Sequence, residues 1–341
     1  MGTVVIVGAG ITGLLTAVQC VGQGHRVIVI DRGPIPNPAS SSFDQHRVLR
    51  APTDADVGLH RRWLGLQLLL GGHFYRRVGV VTGWPSERVD GAMAAARRAG
   101  IPISFVTPNR LPHIVFPAGY LGIREADAGV LLAARVLHAA VRWLRARQAV
   151  TLRPWTEVVA VDAAAGRVEL ADGTALTGDL VLIAAGVRTR ELVSVRVVVH
   201  RQTVVYVRPP EELLPWWERA PSAGGVGADG TGWLLPPGDG ALLKLSSTGM
   251  CRAVSTFTEP ADTDVAAALR CRELLLPQAD RYGVVAIKHC HYTVDAESGR
   301  AALEQVGPAV WARAAVGGDG FRTAPLVAER IAELAAAGLA A

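Results

Sequence analysis

The chain has 341 residues, 50% of them hydrophobic, and carries a formal net charge of +5 at pH 7. A chain of this length and composition can bury a large core, which excludes disorder and favours two domains. Arginine supplies almost all of the positive charge, because Lys244 and Lys288 are the only lysines in the sequence. The charge forms no basic run interleaved with aromatic residues, so we expect no nucleic-acid partner.

The four cysteines (Cys20, Cys251, Cys271 and Cys290) have neither the spacing of metal ligands nor the density of a disulfide framework. A reducing cytoplasm is therefore the expected location, with no metal. The first predicted strand begins at residue 3, which leaves no room for a signal peptide. No apolar stretch reaches the roughly 18 residues of a membrane span. We expect no membrane association and a monomer or weak homo-oligomer.

The beginning of the chain has the pattern of a dinucleotide-binding unit. Apolar runs at residues 3–7 and 26–30 predict two strands, and residues 14–21 between them predict a helix. The sequence Gly-Ala-Gly-Ile-Thr-Gly at residues 8–13 joins the first strand to this helix, and Asp31 follows the second strand. This order of strand, glycine turn, helix, strand and acidic residue is typical of a βαβ unit that binds dinucleotides.

Each glycine of this motif has a physical purpose. Gly8 permits the tight turn, Gly10 lets the backbone approach a pyrophosphate, and Gly13 lets the helix pack closely on the strand. The helix N-terminus offers free N–H groups and a positive dipole end to the phosphates. Asp31 can accept hydrogen bonds from both ribose hydroxyls. These residues do not separate FAD from NAD, and a unit that has lost its ligand is the alternative.

Three further helices are predicted before residue 150. They cover residues 57–70, residues 86–98 with Ser86 as the cap, and residues 127–148, where apolar residues recur at helical spacing. Arg47 and Arg50 are three residues apart, which would put them on one side if this segment is helical. Two solvated surface arginines are the alternative interpretation.

A set of strands is predicted at residues 150–152, 158–162 and 179–186, with a hairpin turn at Asp172-Gly173. The last strand is apolar almost throughout, which indicates a buried parallel strand, and it ends on Gly186. The chain thus returns to its first sheet after a long excursion, so we expect the first domain to be discontinuous.

The second half is predicted to be mainly β-sheet, with strands at residues 195–208, 241–247, 252–257 and 284–293. Asp262 or Thr263 is expected to cap a helix that ends at Leu276. Three tryptophans, Trp216, Trp217 and Trp233, are expected to cover the sheet rather than to line a pocket. A strand at 311–316, a glycine-rich turn at 317–325 and a helix at 326–337 close the chain.

Four further motifs, read with the first, resemble a known family. They are Arg47-Val48-Leu49-Arg50, Leu243-Lys244-Leu245, Cys290-His291-Tyr292-Thr293 and the segment from Gly317 to Arg322. Together with the βαβ unit they cover nearly the whole chain in order. The chain resembles the FAD-dependent amine and amino-acid oxidases related to D-amino-acid oxidase, and within them the monomeric sarcosine oxidase branch.

The resemblance implies an α/β fold with two parts. One is an FAD-binding Rossmann-type domain, similar to that of glutathione reductase, and the other is a β-sheet-rich α+β substrate domain. We expect the FAD-binding domain to comprise residues 1–50, 127–194 and 295–341. Residues 51–126 and 195–294 would form the substrate-binding domain.

The resemblance also implies the roles of individual residues. Lys244 would hold a water near flavin N5 and stabilise superoxide when dioxygen is reduced. Arg50 and Arg322 would bind the substrate carboxylate, and Tyr292 matches an active-site tyrosine. The alternative for Lys244 is a solvated lysine on the polar face of a strand.

Cofactor binding is implied in the same way. Cys290 would bond through sulfur to the 8α-methyl carbon of the flavin, with Lys288 and His289 lowering its pKa; a buried structural cysteine is the alternative. Arg47 would lie against the flavin ring. The complete set of expected cofactor-binding residues is Gly8, Gly10, Ile11, Thr12, Gly13, Asp31, Arg32, Arg47, Val158, Gly186, Cys290, Gly317, Gly318, Gly320, Phe321 and Arg322.

The sequence departs from the sarcosine oxidase pattern at several positions. Phe43, Thr248 and Asp319 stand where that branch has histidines, and Arg322 stands where it has lysine. These changes affect the expected substrate more than the expected chemistry. Asp31 in place of the usual glutamate is a minor change.

The predicted reaction is FAD-dependent oxidation of a carboxylate-bearing amine, secondary or cyclic, to an imine. Dioxygen would be reduced to hydrogen peroxide. A dehydrogenase of the same family that passes electrons to a quinone or a protein is one alternative. A non-catalytic FAD-binding subunit and an NAD-linked dehydrogenase are the others.

Overall fold

A computed structural model describes residues 2–51, 58–255, 257 and 265–338. The strands are β1 (Thr3–Val7), β2 (Arg26–Ile30), β3 (Arg47–Leu49), β4 (Tyr75–Arg76), β5 (Val80–Pro85), β6 (Ile103–Val106), β7 (Tyr120–Glu125), β8 (Gly129–Leu131), β9 (Val150–Arg153), β10 (Val158–Asp162), β11 (Arg167–Leu170), β12 (Ala175–Thr177), β13 (Leu180–Ile183), β14 (Val197–Arg208), β15 (Ser222–Val226), β16 (Gly232–Leu235), β17 (Leu243–Ser247), β18 (Cys251–Val254), β19 (Gly283–Asp295), β20 (Ala302–Gly307) and β21 (Val310–Ala315). The helices are α1 (Ile11–Gly22), α2 (Leu59–Leu70), α3 (Ser86–Arg98), α4 (Ala133–Arg145), α5 (Thr189–Leu192), α6 (Leu214–Trp217), α7 (Val265–Leu275) and α8 (Ala324–Gly338).

The first sheet has six strands in the order β20-β21-β13-β1-β2-β9. Pairs from β21 to β9 are parallel, and β20 is antiparallel to β21. Helices α1, α4 and α8 share an apolar core with one face of this sheet, and a three-stranded sheet of β10, β11 and β12 packs on the other. Because both faces are buried, β1 and β13 are apolar on both sides.

A nine-stranded sheet is built around the long strand β14. Its order is β18-β14-β17-β16-β15-β5-β7-β6, and β19 pairs with the other side of β14 from Val197 to Arg208. Helix α7 and Trp217 pack with this sheet in a separate apolar core. The two large sheets supply opposite walls of the cavity described below. The predicted domain boundaries stay a prediction.

Most predicted strands and the closing helix are confirmed, but the helix predicted for residues 127–148 begins at Ala133. Gly129–Leu131 instead forms β8, which pairs with both β3 and β4. The apolar residues of this segment fit the helical period. Their backbone N–H and C=O groups are nevertheless hydrogen-bonded to strands that are distant in sequence. Tertiary pairing therefore overrides the local pattern.

One local prediction is wrong, and one condition is not met. The segment of Arg47 and Arg50 is not helical, because Arg47–Leu49 is extended and pairs with β8. Ser86 is the first residue of α3 rather than its cap, which is Pro85. Val57, the predicted start of α2, and the predicted caps Asp262 and Thr263 lie outside the described residues.

None of the helices in the described part of the chain has the length and apolar character that crossing a membrane requires.

Candidate functional site

A cavity of about 830 Å³ lies between the carboxyl ends of the parallel strands and one face of the nine-stranded sheet. Its volume falls in the upper part of the range of roughly 300–1,000 Å³ for small-molecule sites. Every predicted site residue except Gly13 lines this cavity. The structure therefore brings together residues that are as far apart in sequence as Gly8 and Arg322.

The glycine motif adopts the conformation that its sequence predicts. Gly8 has a φ of 106° and donates its N–H to the carbonyl of Ile30 at 2.7 Å. A Cβ on Gly13 would clash with the carbonyl oxygen of Gly8. The helix α1 begins after Gly10, which has no side chain to cap it. Gly13 is thus a packing residue, and the end of α1 opens toward the cavity.

Asp31 organises this turn from the end of β2. One carboxylate oxygen accepts from the N–H of Ala9 at 2.9 Å, and the other accepts from Gly33 at 2.9 Å and Asn37 at 3.0 Å. Asp31 therefore fixes the glycine turn in addition to any ribose contact. The ribose contact itself stays a prediction.

The cavity also has free space beside Gly186 and Gly318, two of the residues expected to contact FAD. A Cβ added to Gly186 or Gly318 would meet no protein atom within 4 Å, so the backbone opens into free space at both positions. The glycine loop that contains Gly318 is fixed from behind, because Phe321 stacks on Trp63 with ring centroids 5.9 Å apart. The Trp63 indole N–H also donates to the carbonyl of Arg322 at 2.8 Å.

A buried carboxylate that was not predicted as a site residue holds the lysine of the cavity. The Lys244 ammonium donates to Asp44 at 2.6 Å, and these two side chains are only 3% and 1% exposed. Asp44 also accepts from the Arg47 guanidinium, the Tyr206 hydroxyl and the backbone N–H of Gln45. Strand register explains the arrangement, since Tyr206 and Lys244 are paired neighbours on β14 and β17.

The charges of this cluster affect one another. Burial lowers the pKa of Lys244 well below its usual value, and the adjacent Arg47 and Lys288 add to that effect. The Asp44 carboxylate opposes the shift because it favours the charged ammonium. Burial and the charge of Lys244 lower the pKa of His46 to about 3, so this imidazole is neutral and its Nε2 donates to the carbonyl of Pro236 at 3.2 Å.

Trp233 was expected to cover the sheet, but its position differs from that prediction. It lines the cavity, and its ring centroid lies 5.8 Å from the Lys244 ammonium. Trp217 covers the sheet as expected and is fully buried in its core. Alternation along β16 separates residues that face the cavity from those that face the core, and the sequence alone does not identify the direction of each face.

The arginines expected to bind a carboxylate both line the cavity. The guanidinium of Arg322 pairs with both oxygens of Asp319, one of them at 2.8 Å. Asp319 is one of the departures noted in the sequence, and it gives Arg322 an intramolecular anion. Thr248, another departure, also lines the cavity, whereas Phe43 packs edge-to-face against His138 with centroids 5.9 Å apart.

Cys290 and Tyr292 lie two residues apart on β19 and both line the cavity. The Tyr292 hydroxyl lies 3.2 Å from the sulfur of Cys251. The expectation that both Lys288 and His289 act on Cys290 is wrong for His289. Neighbouring side chains of a strand point to opposite faces, and the ring of His289 hydrogen-bonds to Thr203 at 2.9 Å. Burial also lowers the pKa of His289, which favours its neutral form.

Comparison with known proteins agrees with this geometry. Residues 3–334 match the model of the family described as FAD dependent oxidoreductase. A curated relative, the peroxisomal sarcosine oxidase of Mus musculus, is 24% identical over 147 residues. That match covers 40% of this chain and 38% of the relative.

Solved structures show the same fold. A modified fructosyl peptide oxidase from Aspergillus nidulans superposes with a TM-score of 0.81 at 17% identity, covering 99% of this chain and 91% of that one. NikD, an amino acid oxidase essential for nikkomycin biosynthesis, has a TM-score of 0.79 at 18% identity, covering 98% and 93%. Fructosamine oxidase from Aspergillus fumigatus has a TM-score of 0.78 at 17% identity, covering 99% and 87%.

The predicted fold class, the predicted family and FAD as the cofactor are confirmed by these matches. The match to the family model extends over almost the whole chain, from the first strand to the last helix. The chain therefore belongs to the family of FAD-dependent oxidoreductases.

Proposed function

We propose that the protein is an amine or amino-acid oxidase that converts the C–N bond of a carboxylate-bearing amine, secondary or cyclic, to an imine. The observation that carries this proposal is the position of Lys244, a buried lysine that lines the same cavity as the glycine turn, Arg50 and Arg322. Relatives named as sarcosine oxidase, fructosyl peptide oxidase and amino acid oxidase support the same substrate class.

FAD, when bound, supplies the two-electron redox chemistry of this reaction. The turn from Gly8 to Gly13 and the N-terminus of α1 would hold its diphosphate. The loop that contains Gly317 and Gly318 would contact its flavin half. Cys290 is proposed to attach the flavin covalently through its sulfur.

The side chains of the cavity have separate tasks in this proposal. Arg50 and Arg322 bind the substrate carboxylate, and Arg322 exchanges its contact with Asp319 for one with the substrate. Tyr292 contributes to the wall beside the substrate. Lys244 presents a positive charge in a site of low dielectric, where it stabilises the negative charge that develops as dioxygen is reduced to hydrogen peroxide.

One observation favours a second candidate, a dehydrogenase that transfers electrons to a quinone or a protein. The Asp44 carboxylate lies 2.6 Å from the Lys244 ammonium and partly neutralises its field. Arg47 restores a net positive charge to the cluster, since two cations face one anion. We therefore favour dioxygen as the acceptor.

The proposed function predicts which compounds reduce the enzyme. N-methyl and cyclic amino acids should bleach the visible flavin absorbance of the purified protein under anaerobic conditions, because their carboxylate binds to the arginines. Matched amines without the carboxylate should act at least about tenfold more weakly, since each charge-assisted contact contributes about 1.5–3 kcal/mol. Hydrogen peroxide should form when air is admitted. Absence of bleaching with every amine would contradict the proposal.

The covalent bond predicts the behaviour of the flavin after acid precipitation. The yellow colour should remain with the pellet of the wild-type protein and should move to the supernatant for Cys290→Ser. Cys251→Ser is the matched control, because Cys251 also lies beside Tyr292, and its flavin should stay in the pellet. Release of all flavin from the wild-type protein would disprove the attachment.

Replacement of Asp44 tests the buried cluster. Asp44→Asn should lower the free energy of unfolding at neutral pH by about 3–5 kcal/mol, because it leaves buried cations uncompensated. Without the carboxylate, the pKa of Lys244 falls further, and the cost of burying its charge is relieved as pH rises and the ammonium loses its proton. The difference in stability from wild type should therefore shrink as pH rises toward 10.5, the usual pKa of lysine.

Denaturant unfolding across this pH range measures both effects. Asp127→Asn is the control, since its ion pair with Arg77 is 41% exposed on the aspartate side and should contribute less than about 1 kcal/mol. A difference between Asp44→Asn and wild type that is small, or that does not change with pH, would contradict the assigned interaction.

A further inference from the structure

Arg313 is a buried guanidinium that neither the sequence motifs nor the proposed reaction explains. It lies in β21, is only 6% exposed, and lines the large cavity. Within the described residues, no acceptor is hydrogen-bonded to its guanidinium and no carboxylate is paired with it. A buried charge without a partner is costly, so this residue requires an anion that the protein itself does not supply.

The strand register shows where that anion would lie. Val7 pairs with Ile183, and Ile183 pairs with Ala312. One residue further along these strands are Gly8, Ala184 and Arg313, at the carboxyl edge of the sheet. Two strand spacings amount to about 10 Å. Arg313 is therefore at the same level of the sheet as the first glycine of the dinucleotide motif.

The direction of the side chain follows from the alternation of the strand. Ala312 belongs to the apolar core on the face covered by the three-stranded sheet. Because successive side chains point to opposite faces, Arg313 points to the other face, where α1 packs. Its guanidinium therefore lines the cavity from the same face of the sheet as α1.

We propose that Arg313 binds the diphosphate of FAD. The diphosphate carries permanent negative charge, and a guanidinium can donate two parallel hydrogen bonds to it. The glycine motif offers backbone N–H groups and the Thr12 hydroxyl but no charged side chain, so Arg313 would add a positive charge to this site. The inference depends on FAD binding and not on the identity of the amine.

Phosphorus-31 NMR of the flavin-loaded protein tests the contact directly. At least one diphosphate resonance should shift in Arg313→Met, and it should shift less in Arg313→Lys, which keeps the charge. Arg330→Met is the control for the loss of one cation, because Arg330 lies on α8 and is 58% exposed; its spectrum should match wild type.

FAD affinity and thermal stability supply a second readout. They also show whether a variant is weak only because it folds poorly. In a Cys290→Ser background, from which FAD can be removed, Arg313→Met should bind FAD about 10- to 100-fold more weakly. The same variant without FAD should unfold at a temperature equal to or above that of the unliganded parent, because it no longer buries an unpaired charge. Arg313→Gln serves if the methionine variant does not accumulate.

Unchanged phosphorus resonances in Arg313→Met would overturn the proposal. An altered visible spectrum in the same variant would then place the guanidinium at the flavin ring instead. Unchanged FAD affinity would overturn it as well. Neither result depends on the amine oxidase activity, so the two proposals fail separately.

Discussion

The hydrogen-bonded ion pair between Asp44 and Lys244 is the interaction on which the cavity depends. Asp44 follows the first βαβ unit, whereas Lys244 lies on β17 of the nine-stranded sheet. The pair therefore connects the segment that leaves the dinucleotide motif to the opposite wall. A lysine that is 3% exposed would be costly alone. The carboxylate, which also receives Arg47 and Tyr206, makes a buried cation possible at this position.

The topology explains why the cavity needs both ends of the chain. Strands β1 and β21 are separated in the sheet only by β13, although about three hundred residues lie between them in sequence. The glycine turn after β1 and the glycine loop after β21 consequently open at the same edge of one sheet. Ligands of open α/β sheets bind outside the carboxyl ends of the strands. FAD is thus expected to span this edge, and the facing sheet contributes Lys244, Cys290 and Tyr292.

Local sequence patterns predicted the features that depend on neighbouring residues, such as turns and close backbone contacts. The turn at Gly8 requires positive φ, and the close contact between Gly13 and Gly8 requires the absence of a side chain. Both requirements are visible in the sequence. The resemblance added Lys244, Cys290 and Arg322, and all three line the cavity. Their chemical roles stay predictions.

Contacts between distant segments were not predictable in the same way. The helix predicted from residue 127 begins at Ala133, because β8 finds two partners far away in sequence. Arg313 has no local motif, and only the register of β21 against β13, and of β13 against β1, places it at the same level of the sheet as Gly8. Asp44 carried a weak signal, since it lies three residues before Arg47, but its partner Lys244 is two hundred residues away.

The reoxidation rate of the reduced flavin in Lys244→Met tests the central claim most directly, that the buried lysine makes the protein an oxidase. Rapid mixing of the amine-reduced protein with dioxygen measures this rate separately from reduction by the amine. We expect reoxidation to slow by about 10²–10³-fold, the effect of losing one preorganised electrostatic contact. Arg330→Met, which removes a 58% exposed cation on α8, should reoxidise at nearly the wild-type rate. Full-speed reoxidation of Lys244→Met would contradict the account.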